Sequence, residues 1–106
     1  MNQVLDTTEA RQIVETIYMQ IGAGRAMAMI GGSAISDTEN LTLRILFKAR
    51  ASQSIKKFFI QYDNGADIYN VTFYTRTDRV VATETGIYAD QLKRIIEKET
   101  GLYLSM

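Results

Sequence analysis

Apolar positions recur along this chain with two different periods, and the changes of period mark out its elements. Between Asp6 and Ile21, residues Ala10, Ile13, Val14, Ile17, Tyr18 and Ile21 return every three or four positions. Arg11, Gln12, Glu15, Thr16 and Gln20 take the opposite side. That spacing predicts an amphipathic helix. Asp6 stands where an N-cap belongs, with Glu9 as its capping-box partner. Gly22 and Gly24 then end the helix, since glycine enters the left-handed C-cap conformation without a Cβ clash.

Arg25 to Ile30 is short, apolar and bounded by Gly31 and Gly32. It reads as a strand, with helix as the competing reading. Residues 33–40 are polar and read as a loop. From Leu41 to Lys48 the period becomes two: Leu41, Leu43, Ile45 and Phe47 share one face, Thr42, Arg44, Leu46 and Lys48 the other. A half-buried strand follows from that alternation. Ser54 to Tyr62 alternates likewise, with Phe58, Ile60 and Tyr62 opposite Lys57, Phe59 and Gln61. Asn64-Gly65 signals a hairpin. Its second strand, Ile68 to Arg76, puts Tyr69, Val71 and Phe73 opposite Asn70, Thr72, Tyr74 and Arg76. Thr77-Asp78 turns the chain, and Arg79 to Thr83 adds a short edge strand.

A last amphipathic helix is expected from Ile87 to Thr100, burying Tyr88, Leu92, Ile95 and Ile96 and leaving Lys93, Arg94, Glu97 and Lys98 in water. Gly101 fits the residue after a helix end, with Leu102 folding back on the last turn as in a Schellman motif. Leu102, Tyr103 and Leu104 form an apolar tail and are interface candidates. Strands in an unbroken run favour a meander over a parallel sheet. The expected fold is α+β: an N-terminal helix, an antiparallel meander of four to five strands and a C-terminal helix. Both helices cover one face of the sheet, in a single domain over residues 1–106.

Composition narrows the function more than the fold. The 106 residues carry twelve basic and twelve acidic side chains and no net charge. A partner recognised by bulk charge, such as an anionic membrane, is disfavoured. With no cysteine and no histidine, the chain has no thiolate nucleophile and lacks the commonest general base and metal ligand. No cofactor, no metal and no enzymatic activity are expected. No signal peptide or membrane-spanning run is visible, so a cytoplasmic protein is expected.

Three groups of residues invite a chemical reading. Gly22-Ala-Gly-Arg25 is glycine-rich, but phosphate loops join a strand to the N-terminus of a helix. Here the glycines follow a helix, so structural roles are favoured and Arg25 is a candidate anion contact. Asp63 and Asp67 flank the hairpin, and Asp37 with Glu39 lies in a polar loop, as candidate paired carboxylates; turn formation around Asn64-Gly65 accounts for the first pair. The outward face of the sheet collects Arg44, Lys48, Lys57, Phe59, Tyr74 and Arg76, with Arg50 and Lys56 adjoining. Cations interleaved with aromatics suit single-stranded nucleic acid, where rings stack on bases and cations follow phosphates. Exposed antiparallel faces carry the same residue types for purely structural reasons. Leu46 and Phe59 on that face would form an apolar patch that self-association or a protein partner could cover.

Two segments also carry a resemblance. Gln20-Ile-Gly-Ala-Gly-Arg-Ala-Met-Ala-Met-Ile-Gly-Gly-Ser33 resembles the pattern Q-(L/M)-G-G-N-R-F-x-A-M-T-G-A of small phage, prophage and mobile-element proteins. Gly86-Ile-Tyr-Ala-Asp-Gln-Leu and the closing Glu99-Thr-Gly-Leu-Tyr-Leu-Ser105 are similar to their Y-A-D-x-L and T-G-L-Y ending. Asp67-Ile-Tyr-Asn-Val-Thr-Phe73 resembles their D-x-Y-x-V-x-F strand. Arg25 is kept, whereas Ala23, Gly24 and Ala26 depart from the pattern. No activity is attached to that family, so the resemblance implies a phage setting in a host cytoplasm and transfers no catalytic residue. The expected function is that of a non-enzymatic accessory protein that binds a host or phage protein or itself as a homo-oligomer. Single-stranded nucleic acid binding is the alternative.

Overall fold

The computed structural model describes residues 6–104. Helix α1 (Thr7–Gln20) starts as its sequence demands: Asp6 Oδ1 accepts the Glu9 N–H at 2.8 Å. Its stripe of Ala10, Val14 and Ile17 is buried, with Ile21 just beyond. Gly22, at φ 111°, turns the chain sharply.

A second helix follows, where the sequence had favoured a strand over residues 25–30. Helix α2 (Ala23–Ile30) buries Ala26, Met27 and Ile30 at helical spacing. The run Ala26-Met-Ala-Met-Ile30 satisfies either period, and alanine and methionine are good helix formers. Gly24 therefore lies inside a helix and does not end α1; Gly22 alone does. Gly31, at φ 63°, closes α2 in the left-handed region. The polar stretch read as a loop is strand β1 (Gly32–Asp37) as far as Asp37. Its Gly, Ser and Ala have poor β-propensity, and pairing with a neighbouring strand overrides that.

The remaining strands are β2 (Thr42–Phe47), β3 (Ile55–Asp63), β4 (Ile68–Thr75) and β5 (Val80–Ile87). All five form one antiparallel meander in chain order, so β1 and β5 are the edges. Leu43, Ile45, Phe58, Ile60, Val71 and Phe73 point to the helix side and are at most 1% exposed. Complete burial of such side chains is worth about 1.5–3 kcal/mol each. A bulge between Ile55 and Lys57 keeps both Ile55 and Phe58 inward. The Asn64-Gly65 hairpin closes as a longer turn than the dipeptide predicts. Asp67 N–H bonds to the Asp63 carbonyl at 2.8 Å, and Asp67, at φ 54°, takes the left-handed position.

β5 is longer than the short edge strand expected, reaching Ile87. The last helix is shorter: a 3-10 turn over Ala89–Gln91 leads into α3 (Leu92–Thr100). Tyr88, expected in the core, is exposed, because its N–H caps this turn on Gln91 Oε1 at 3.0 Å. Leu92 and Ile96 are buried and Ile95 partly so, as expected.

Gly101, at φ 74°, donates its N–H to the Glu97 carbonyl at 2.8 Å. The Leu102 N–H goes to Thr100 Oγ1 at 3.2 Å, and that buried hydroxyl donates to the Ile96 carbonyl at 2.6 Å. A threonine hydroxyl thus takes the place of the second backbone bond of a Schellman motif. Leu104 N–H reaches Glu97 Oε2 at 2.8 Å.

Candidate functional site

The outer face of the sheet is set by the pleat. With Leu43 and Ile45 inward, Arg44 and Leu46 must point outward; the same holds for Lys57, Phe59 and Gln61 on β3 and for Asn70, Thr72 and Tyr74 on β4. Register then decides which of them meet. Arg44 lies opposite Phe59, Leu46 opposite Lys57, and Lys57 opposite Tyr74.

Of the six residues grouped from the sequence, four come together. The Phe59 and Tyr74 rings are 4.8 Å apart at 52°, and the Arg44 guanidinium lies 5.1 Å from the centre of the Phe59 ring. Lys57 completes the group. Lys48 does not join it: beyond the end of β2, its N–H bonds to the carbonyls of Ile30 and Gly31, so it belongs to the junction with α2. Arg76 stands exposed in the turn between β4 and β5. The adjoining Lys56 is occupied too, its ammonium donating to the carbonyls of Lys48 and Ala49.

Electrostatics alter the reading of this face. Arg44 Nη2 donates to Asp37 Oδ2 at 2.9 Å, and Asn40 Nδ2 donates to the same oxygen at 2.9 Å. The Asn40 amide, aided by Arg44, holds the Asp37 carboxyl below the usual carboxylate range. Lys57, only 15% exposed, is ion-paired with Asp78. Both central cations are therefore neutralised within the chain. Beside them is a concavity of about 220 Å³ among Asn40, Gln61, Asn70, Thr72 and the two rings. Arg44 Nε is buried there without a hydrogen-bond partner among the described residues.

Apolar surface lies at the β1 end of the face. Ile35 is 51% exposed and Leu46 is 41% exposed. Ile35 pairs with Arg44 and Ser33 with Leu46, so Ile35 and Leu46 are diagonal neighbours on one face, within side-chain reach. Reading residues 33–40 as a loop hid Ile35; its only signal was a lone isoleucine among small polar residues.

The other candidates separate. Arg25 is exposed in the first turn of α2, while a Cβ on Gly22 would stand 3.1 Å from the Leu104 carbonyl. The C-terminal tail thus packs against the entry to that helix. Of the two roles open to the apolar tail, core or interface, the leucines take the first: Leu104 is 1% exposed in the chain's own core and Leu102 packs against it, because Gly101 reverses the chain. Of the three interface candidates only Tyr103 is exposed.

Asp63 is a turn former, its Oδ1 accepting the N–H groups of Gly65 and Ala66. Asp67 accepts the Tyr62 hydroxyl at 2.5 Å, and that bond, with burial, pushes the Tyr62 pKa up to about 12. Among the described residues no cluster of three carboxylates could hold a metal ion, and no helix is long and apolar enough to cross a membrane. No protein-family model matches the chain, and neither a curated protein nor a solved structure is significantly similar to it.

Proposed function

We propose that this chain is a small non-enzymatic accessory protein that works by protein–protein association through the β1–β2 end of its outer sheet face. A phage or prophage setting rests on the segment resemblances alone. The observation that carries the reading is the state of that face. Arg44 and Lys57 are each paired with a carboxylate of the same chain, while Ile35 and Leu46 lie exposed next to them. An internally neutralised surface with an apolar patch suits a protein partner or a second copy better than a polyanion.

The test is mass by light scattering across a concentration series, together with capture from a lysate of the source cells. An associating protein gains mass with concentration or captures a partner, and an Ile35→Glu/Leu46→Glu variant loses either property. A monomer at every concentration whose captured set is unchanged in that variant would overturn the reading.

A second reading, single-stranded nucleic acid binding, is favoured by the Phe59–Tyr74 pair above a concavity rimmed with amides. Stacking on such rings contributes about 1–3 kcal/mol per base. A gel shift at two salt concentrations decides it: binding that weakens with salt and vanishes in Phe59→Ala/Tyr74→Ala supports it. No shift at micromolar protein and low salt removes it.

A further inference from the structure

Two hydrogen bonds fix which way the backbone of β1 points. Tyr62 N–H donates to the Leu41 carbonyl at 2.9 Å, so the odd-numbered residues of β2 bond towards β3. Lys48 N–H donates to the Gly31 carbonyl at 3.2 Å, so the even-numbered ones bond towards β1. Antiparallel ladders alternate, and the register pairs Ser33 with Leu46, Ile35 with Arg44 and Asp37 with Thr42. Ser33, Ile35 and Asp37 therefore bond inward to β2. The N–H and C=O groups of Gly32, Ala34 and Ser36 point away from the sheet, and among the described residues no hydrogen bond reaches them. Ser33, Ala34, Ile35 and Ser36 are all exposed.

Natural sheets guard their edges with charge, proline or bulges. β5 has such guards: register shifts at two places, Gly86 at φ 68°, and a charged side chain within the strand, Glu84, whose Oε2 lies 3.8 Å from Lys98 Nζ. β1 has none from Gly32 to Ser36; its register with β2 is unbroken and its side chains are uncharged. A row of free backbone donors and acceptors takes one kind of ligand, another extended strand.

We propose that β1 is a dimerisation strand. Two copies pair Gly32–Ser36 antiparallel about a two-fold axis at Ala34, so that two five-stranded sheets become one. This rests on the association reading above and names its contact. Three features favour a second copy as occupant. In this register Gly32 bonds with the partner's Ser36 and Ala34 with the partner's Ala34, so the outward groups of all three residues are satisfied. On the outer face Ser33 stands opposite the partner's Ile35, which joins the Ile35–Leu46 patches of both copies and places no like charges opposite one another. The chain has no net charge to repel its copy. With β5 guarded, one open edge per copy closes the assembly at two.

Ala34→Pro tests the contact, because it removes an outward N–H and leaves the β1–β2 ladder intact. Sedimentation from about 5 to about 500 µM should show the wild type approaching twice the chain mass. Ala34→Pro should stay monomeric over that range and melt, when dilute, within a few degrees of the wild type. Ala34→Lys keeps the N–H and the outer face but sets two cations opposite each other on the axis; it should also stay monomeric, and it decides the matter if the proline variant fails to fold. In hydrogen exchange the Ala34 amide should gain about tenfold protection or more with concentration, while the Ile35 amide is protected throughout. A wild type monomeric throughout overturns the proposal and leaves association with other proteins standing. A dimer that survives in both Ala34 variants but is lost in Leu46→Glu overturns edge pairing and leaves outer-face association intact.

Discussion

Several individual residues are held in states that predict what their replacement does. Gly22 combines a left-handed φ of 111° with a position where a Cβ would approach Ala26 Cβ to 2.9 Å. Gly22→Ala should therefore lower stability by about 1–3 kcal/mol in a denaturant titration, strain and contact acting together. Glu99 shares a hydrogen bond with Glu84, and that contact raises its carboxyl above the usual glutamate range. A raised folded value means a stabilising contribution at acidic pH that is lost as pH rises through that value. Glu99→Gln should thus match the wild type in acid and become the more stable of the two above it. Asp37 is shifted the other way, chiefly by Asn40, so its contribution is present at neutral pH and disappears as pH falls through its lowered value. Melting curves of Asp37→Asn should differ from the wild type at pH 7 and converge with it in strong acid.

Among the elements, the closing segment is the one whose meaning moved furthest. Its apolar character was plain from Leu102 and Leu104, and Gly101 announced the end of α3. Local bonds hold the reversed tail, with Glu97 Oε2 on the Leu104 N–H and Thr100 bridging Ile96 to Leu102. That the leucines face inward was decided by the core they join and by the entry to α2 at Gly22. Leu104→Ala should cost about 2–5 kcal/mol, as for other buried leucines, with loss of folded signal at lower denaturant. Tyr103→Ala, at an exposed position, should change stability by no more than about 0.5 kcal/mol. The short elements at the start of the sheet were hard to read for a related reason. The eight residues of α2, rich in Ala and Met, fit two periods, and Gly-Ser-Ala-Ile-Ser has a single strand former among small residues and becomes a strand by pairing with β2.

For the molecule as a whole, consecutive strands pair with their chain neighbours throughout, and all helices lie on one side. One face and one edge are left to meet other molecules. If two copies join there, the melting temperature of the wild type should rise with protein concentration, since mass action favours the associated folded state. Ala34→Pro should melt at the same temperature at every concentration.

Periodicity alone determined much of this protein. The stripe of α1, Leu92 and Ile96 of α3, the inward residues Leu43, Ile45, Phe58, Ile60, Val71 and Phe73, the hairpin near Asn64 and the α+β meander were legible, because each depends on residues close in sequence burying one face. Four members of the outer cluster, Arg44, Lys57, Phe59 and Tyr74, were legible in the same way, through the pleat, whereas Lys48 and Arg76 fall outside it. What required the folded chain was what pairing and packing between different elements set. The pairing of Lys57 with Asp78, of Arg44 with Asp37 across two strands, and the burial of Leu104 beneath α3 leave no local signature. Neither does the open edge of β1, since an edge exists only once a sheet has been ordered.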